Sequence, residues 1–193
     1  MKDPAAKDAL ILVDSQDRQV GSQTKAECHR HPLPLHRAFS VFLFDQGGRM
    51  LITQRSGKKT TWAGFWSNAC CSHPRDGESA EEAAQRRLGE ELGISAELRF
   101  LFKFEYQADY DATWGEHELD HVFVGTYEGP LRPDRDEVEG AKFMDVEELK
   151  RDIRNNPDHY TPWFKMSLER VLNEAQATVA DNASKAKQSP STK

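Results

Sequence analysis

W-S-N-A-C-C-S-H-P-R-D-G-E-S-A-E-E-A-A-Q-R-R-L-G-E-E-L-G, residues 66–93, is the stretch on which the fold turns. Up to His73 it reads as a strand entering a loop, and from Ser79 onward as one capped helix. Ser79 with Glu82 three residues later is a capping-box pattern, Ala84, Leu88 and Leu92 form an apolar stripe at every fourth position, and Gly93 supplies the stop. Side chains along a strand alternate with period two, so Cys71 and His73 share one face and Cys70 takes the other. That places a thiol able to exchange protons beside a metal-type imidazole, next to a helix rich in carboxylates.

Outward from this stretch the chain reads as strands first and helices last. H-R-A-F-S-V-F-L-F-D at 36–45 runs into Q-G-G and returns as R-M-L-I-T-Q-R-S, the clearest hairpin, and A-L-I-L-V-D at 9–14 is a first strand closed by the turn S-Q-D-R. Beyond the helix, 98–107 reads as a strand, 109–118 as a polar loop, and 121–127 and 141–145 as further strands. Helices are expected at 146–155 and 163–180, the second opened by Thr161 as cap and Pro162 at its first position. Residues 1–8 read as a flexible lead-in, 9–181 as a single domain, and 182–193 as a disordered tail with almost nothing to bury. The fold class is α+β, an α/β/α sandwich around a central motif-bearing helix.

Composition narrows the function. A chain of 193 residues with formal charge −6 is one domain with a real core and is not built for nucleic acid or an anionic membrane surface, although a locally basic pocket for a small anion is allowed. No apolar run approaches the ~20 residues of a membrane span, and the N-terminus has no signal-like apolar core. Cys28, Cys70 and Cys71 are odd in number and include an adjacent pair, a poor disulfide framework that suits free thiols in a reducing cytoplasm. A monomer or weak homodimer is expected.

His29, His36 and His73 come from separate segments, and Glu116 and Glu118 are spaced to aim two carboxylates the same way from an extended chain. Any one such histidine more often packs than ligates; their coincidence with Cys-x-His and Glu-x-Glu raises the odds of a divalent-metal site with up to five ligands. Arg87 and Glu91, one helical turn apart, read equally as an exposed ion pair or as groups reaching a phosphate and its metal. Lys25, Arg55, Lys58 and Lys59 are ordinary surface cations taken singly, and a diphosphate grip if clustered. Tyr106 and Trp163 are core-type aromatics, but an indole face also stabilises a cation in a dry pocket. A structural zinc module using Cys28 and Cys71 is disfavoured, because no C-x2-C knuckle is present.

In this order the motifs resemble type I isopentenyl-diphosphate isomerases, the metal-dependent, flavin-free form built on a Nudix fold. The resemblance rests on H-x6-H at His29 and His36, N-A-C-C-S-H-P, R-R-L-G-E-E-L-G, E-H-E, and T-P-W at 161–163, and it covers most of the chain. It implies a mixed sheet and a soluble enzyme acting on small allylic and homoallylic diphosphates. It implies a metal at His29, His36, His73, Glu116 and Glu118 (Mn2+, Mg2+ or Zn2+) and a substrate-bound Mg2+ held by Glu91. Cys71 and Glu118 would be the proton-transfer pair, with Tyr106 assisting Glu118 on the protonating side, Cys71 as base and Trp163 over the developing cation. Lys25, Arg55, Lys59 and Arg87 would contact the diphosphate. Against the hydrolase pattern G-x5-E-x7-R-E-U-x-E-E-x-G-U, where U is a bulky aliphatic residue, Ser72 replaces the first glycine and Arg87 replaces a glutamate used for metal-assisted attack by water. A diphosphate hydrolase is therefore the weaker expectation.

Overall fold

The computed structural model describes residues 9–188. The expected lead-in 1–8 and the last part of the expected tail, 189–193, lie outside them. Among the described residues nine strands form one mixed sheet: β1 (Ala9–Val13), β2 (Gln19–Thr24), β3 (His36–Phe44), β4 (Met50–Arg55), β5 (Trp66–Ser67), β6 (Cys70–Ser72), β7 (Leu98–Asp109), β8 (Gly115–Thr126) and β9 (Val138–Met144). The helices are α1 (Lys25–Cys28), α2 (Ala80–Leu92), α3 (Val146–Asn155) and α4 (Pro162–Gln188), with a 3-10 turn at Pro157–His159.

β3 is the hub, pairing antiparallel with β1, β4 and β6 and parallel with β8. Its register with β8 sets His36 beside Glu118, and the antiparallel register of β7 with β8 sets Tyr106 beside the same Glu118. β6 adds Cys71 opposite Ser40. Strand pairing alone thus gathers side chains that lie 82 residues apart in sequence, from His36 to Glu118.

Alternation along the strands divides the core. Phe39, Val41 and Leu43 of β3, with Phe123 of β8, meet the α2 stripe of Ala84, Leu88 and Leu92, whereas Phe42, Val122 and Val124 meet Leu149 of α3 and Phe164, Leu168 and Val171 of α4. Helices therefore cover both faces, as an α/β/α sandwich requires. Leu88 is fully buried in that stripe; truncating such a leucine to alanine costs ~2–5 kcal/mol. α2 begins and ends as its sequence demands: Ser79 and Glu82 form the reciprocal capping box, and Gly93 closes it in the left-handed conformation at φ 65°.

Several elements depart from the sequence expectation. Glu116 and Glu118 stand in β8 and not in a loop, because β8 starts at Gly115 and its buried even-numbered positions Glu116, Glu118 and Asp120 are polar where a core strand is ordinarily apolar. β2 and α1 were not legible: Q-V-G-S-Q-T is an exposed edge strand without an apolar face, and α1 is a single turn capped by Thr24 and Glu27. The run 66–73 is two short strands, since Asn68 Nδ2 takes the carbonyls of Val41 and Cys70 at 3.1 and 2.7 Å. Pro162 is the first residue of α4, but the Thr161 hydroxyl pairs with Ser67 Oγ at 2.8 Å. α4 reaches Gln188, past the 163–180 expected of it, so 182–188 of the expected tail are helical; Ala, Lys and Gln there are good helix formers. Among the described residues no helix is long and apolar enough to cross a membrane.

Candidate active site

α1 sets Lys25 at its first position and His29 at its C-cap, so one turn of helix delivers a cation and an imidazole together. His29 Nδ1 donates to the Lys25 carbonyl at 2.7 Å, and His36 Nδ1 to the Pro34 carbonyl at 3.0 Å. A carbonyl only accepts, so both rings carry the proton on Nδ1 and turn Nε2 inward. There His29 Nε2 meets Glu116 Oε2 at 2.7 Å, while His36 Nε2 and His73 Nε2 meet Glu118 Oε1 at 3.5 and 2.8 Å. The ring centroids are 4.9, 5.0 and 5.1 Å apart, and one ligating atom from each of the five residues lies within 4.8 Å of all the others.

This arrangement is unfavourable without a cation. His36 Nε2 is buried with no hydrogen-bond partner, and because His29 carries its proton on Nδ1, the 2.7 Å approach of its bare Nε2 leaves Glu116 Oε2 without one too; an unsatisfied buried polar atom costs ~1–3 kcal/mol. Burial holds the His73 pKa well below the usual imidazole range, so that ring is neutral. Burial works to raise Glu118, but His36 and His73 hold its carboxyl far below the usual range, so it is anionic. Neutral imidazole and ionised carboxylate are the coordinating forms, and His3Glu2 fits a borderline divalent ion.

Beside the cluster opens a cavity of about 520 Å3, and Cys71, Tyr106, Glu118, Trp163, Lys25, Arg55, Lys59 and Arg87 all line it. Glu118 divides its oxygens: Oε1 faces the histidines, and Oε2 accepts from the Tyr106 hydroxyl at 2.6 Å. Cys71 Sγ lies 4.0 Å from Arg55 Nη1. Burial pushes its thiol up to about 12, against the pull of Arg55 and Lys59. Cys70, as alternation requires, packs on the α2 side of the sheet, and all three thiols are free. Cys28 is buried with its sulfur toward the Gln23 carbonyl and, among the described residues, is not one of the five that make up the histidine cluster. Trp163 is fixed by Nε1 donating to Ser67 Oγ at 3.1 Å, and the Arg55 guanidinium centre sits 5.3 Å from its ring.

Two of the four cations, Arg87 and Lys59, are held by carboxylates, and Arg55 by the carbonyls of Thr61 and Trp62. Arg87 pairs with Glu91 at 2.5 Å, Glu90 at 2.9 Å and Glu137 at 3.1 Å, and Lys59 pairs with Glu137. The Lys25 ammonium is depressed by desolvation and then by the charges of Lys59 and Arg55, a crowding that an anion would relieve. Glu91 opens on a neighbouring cavity of about 10 Å3, shared with Cys70, Cys71, Lys59 and Glu137. Glu137, which organises two of the cations, was not singled out by the sequence; its only trace was an acidic run, and its partners are far away in the chain. Lys58 pairs with exposed Asp136 at the cavity margin.

The NUDIX domain family matches residues 34–164. The chain is 46% identical over 155 residues to the isopentenyl-diphosphate Delta-isomerase of Serratia proteamaculans, covering 80% of this chain and 86% of that protein. It is 44% identical over 173 residues to the one from Nocardia farcinica, covering 89% and 97%, and 37% identical over 184 residues to isopentenyl-diphosphate Delta-isomerase 1 of Mesocricetus auratus, covering 84% and 81%. The same fold occurs in the crystal structure of the MutT protein from Methanosarcina mazei, with TM-score 0.60 at 18% identity over 74% of this chain and 96% of that one.

Proposed function

The chain belongs to the Nudix domain family and, within it, to the isopentenyl-diphosphate Delta-isomerases, and from that premise we propose how its residues move the double bond. It is an enzyme that interconverts isopentenyl diphosphate and dimethylallyl diphosphate in isoprenoid precursor formation. The chemistry adds a proton to the terminal alkene carbon and removes another from C2. An unactivated alkene is a very weak base, so the site must supply a well-placed acid, a base, and a dry surface that tolerates a tertiary cation.

Lys25, Arg55, Lys59 and Arg87 grip the diphosphate, which displaces part of the pairing of Lys59 and Arg87 with Glu91 and Glu137. His29, His36, His73, Glu116 and Glu118 would hold one divalent ion (Mn2+, Mg2+ or Zn2+), and Glu91 would help hold a Mg2+ that comes with the substrate. When bound, these ions neutralise phosphate charge and fix the Glu118 carboxyl. Glu118, hydrogen-bonded through Oε2 to Tyr106, delivers the proton to the alkene. Trp163 faces the cation that develops at C3, and Cys71 takes the proton from C2. The observation that carries this reading is the division of Glu118 between the histidine cluster and Tyr106 in a cavity shared with the Cys71 thiol.

The electrostatics of the free site favour the opposite polarity: burial pushes the Cys71 thiol up, which favours its protonated form, while His36 and His73 hold the Glu118 carboxyl far below the usual range, which favours the carboxylate. That state is the product of the forward step above, so each forward turnover needs a proton returned from Cys71 to Glu118, favoured by the pull of Arg55 and Lys59 on the thiol. An enol-ether analogue of isopentenyl diphosphate separates acid from base, because its protonation alone leads to hydrolysis. With Glu118 as acid, Cys71→Ala still hydrolyses the analogue and Glu118→Gln does not. The reverse pattern makes Cys71 the acid.

A further inference from the structure

Trp62 sits behind the cavity wall and touches neither the cavity nor the cluster. It is 4% exposed, and it is a bulky residue at φ 47°, in the left-handed region that such residues rarely occupy. Two sets of interactions hold it there. Through the backbone, the carbonyls of Thr61 and Trp62 accept from Arg55 Nη2 and Nε at 3.0 and 3.1 Å. Through the side chain, the Trp62 ring makes a T-shaped contact with Trp163, centroids 5.2 Å apart at 86°, and another with Tyr110 of the β7–β8 turn at 5.2 Å and 62°.

The edge of an aromatic ring is electropositive and its face electronegative. A ring held at 86° to its neighbour therefore fixes both the tilt and the distance of that neighbour, and the neighbour is the cavity-lining indole. Trp163 is also held by the Nε1 hydrogen bond to Ser67, by the Arg55 guanidinium 5.3 Å from its ring and by the tilted Tyr106 ring at 6.3 Å. Of its two aromatic contacts, the one with Trp62 is the nearer and the closer to perpendicular.

We propose that the Trp62 side chain is a positioning residue that holds the Trp163 indole face toward the hydrocarbon end of the cavity, while its backbone carbonyl serves Arg55 independently. The proposal rests on the reading that Trp163 faces a carbocation. It separates two effects that one residue would otherwise mix: replacing the side chain disturbs recognition of positive charge on the hydrocarbon and leaves diphosphate recognition in place. A ring over a cation in a desolvated site is strongly sensitive to orientation, so a change of about tenfold is expected.

The experiment uses the metal-loaded full chain and two probes. One is a diphosphate ester carrying a tertiary ammonium at the position of C3; the other is its uncharged saturated isostere. Wild-type protein binds the ammonium ester more tightly. In Trp62→Leu that preference falls about tenfold, affinity for the uncharged ester stays within about threefold, and turnover shows a fall in kcat with KM little changed. Trp62→Met, a second variant without a ring, reads the same effect should the Leu variant not fold, and Trp62→Phe, which keeps a ring there, recovers most of the preference. If a folded Leu or Met variant keeps the full preference, or the Phe variant recovers none of it, the inference is overturned. If both probes weaken equally, Trp62 acts only through the fold or Arg55, and the inference also falls. Absence of any ammonium preference in the wild type would remove the carbocation reading of Trp163 itself, and the inference with it.

Discussion

Tyr106→Phe isolates one oxygen of one carboxylate. The hydroxyl of Tyr106 donates to Glu118 Oε2 at 2.6 Å in a site where the two residues are 6% and 8% exposed. Removing it deletes a hydrogen bond to a charged acceptor, an interaction contributing ~1.5–3 kcal/mol. If that interaction is fully engaged while the proton passes to the alkene, kcat falls about 10- to 150-fold. The ring itself stays: it stacks on Phe104 at 5.6 Å, and phenylalanine preserves that packing, so the melting temperature falls only by the roughly 3–12 °C that loss of the hydrogen bond accounts for. Metal content also stays, because Oε1 and not Oε2 faces His36 and His73. The assay is steady-state isomerisation alongside elemental analysis and thermal melting of the same preparation. Unchanged kcat, or metal lost in step with activity, refutes the division of Glu118 into a metal-facing and a proton-facing oxygen.

Replacing His73 by Ala or Glu116 by Gln lowers metal affinity and turnover together, by at least the ~10–100-fold seen when a mere supporting partner is removed, whereas His159→Ala leaves both intact; titration with Mn2+ reads the difference. Cys71→Ala loses most turnover and Cys70→Ala keeps it, and an epoxide analogue of the substrate adds its mass at Cys71, since Cys70 is 2% exposed on the α2 side of the sheet. Burial works to raise the Glu137 carboxyl, yet Lys59 and Arg87 hold it at about 2, below the ordinary 4.5. A depressed folded-state pKa gives stability that is present above pH 4.5 and lost as pH falls from there toward 2. Denaturant melts of Glu137→Gln against the wild type across that window show a shallower acid loss in the variant, and equal slopes contradict the pairing.

The sequence announced the parts of the fold that follow periodicity. α2, with its capping box and terminal Gly93, and α3 at Val146–Asn155 stand where their patterns put them, and the Cys70/Cys71 alternation across the sheet follows from the strand period alone. What hid was polar structure. β8 carries Glu116, Glu118 and Asp120 on its buried face, so its first residues, up to Glu118, read as a loop and only 121 onward as a strand, and β2 has nothing to bury. The five cluster residues were nameable from the resemblance, but their convergence depends on β3 and β8 pairing in parallel, and a register between segments 82 residues apart leaves no local mark. Glu137 and Trp62 were missed for the same reason: each matters through distant partners, Lys59 and Arg87 for the first and Trp163 for the second.

The central claim is that this site moves a proton onto carbon and leaves the diphosphate whole, and isomerisation in heavy water tests it most directly. Incubated with isopentenyl diphosphate, Mn2+ and Mg2+, the protein should form dimethylallyl diphosphate with deuterium in the new methyl group, and with time at C2 as the reaction reverses. Glu118→Gln should give neither product nor label, because an amide neither exchanges the proton nor coordinates as a carboxylate does. Release of phosphate from the unmodified protein, with every carbon-bound hydrogen unlabelled, would contradict the account and leave a Nudix fold doing hydrolysis.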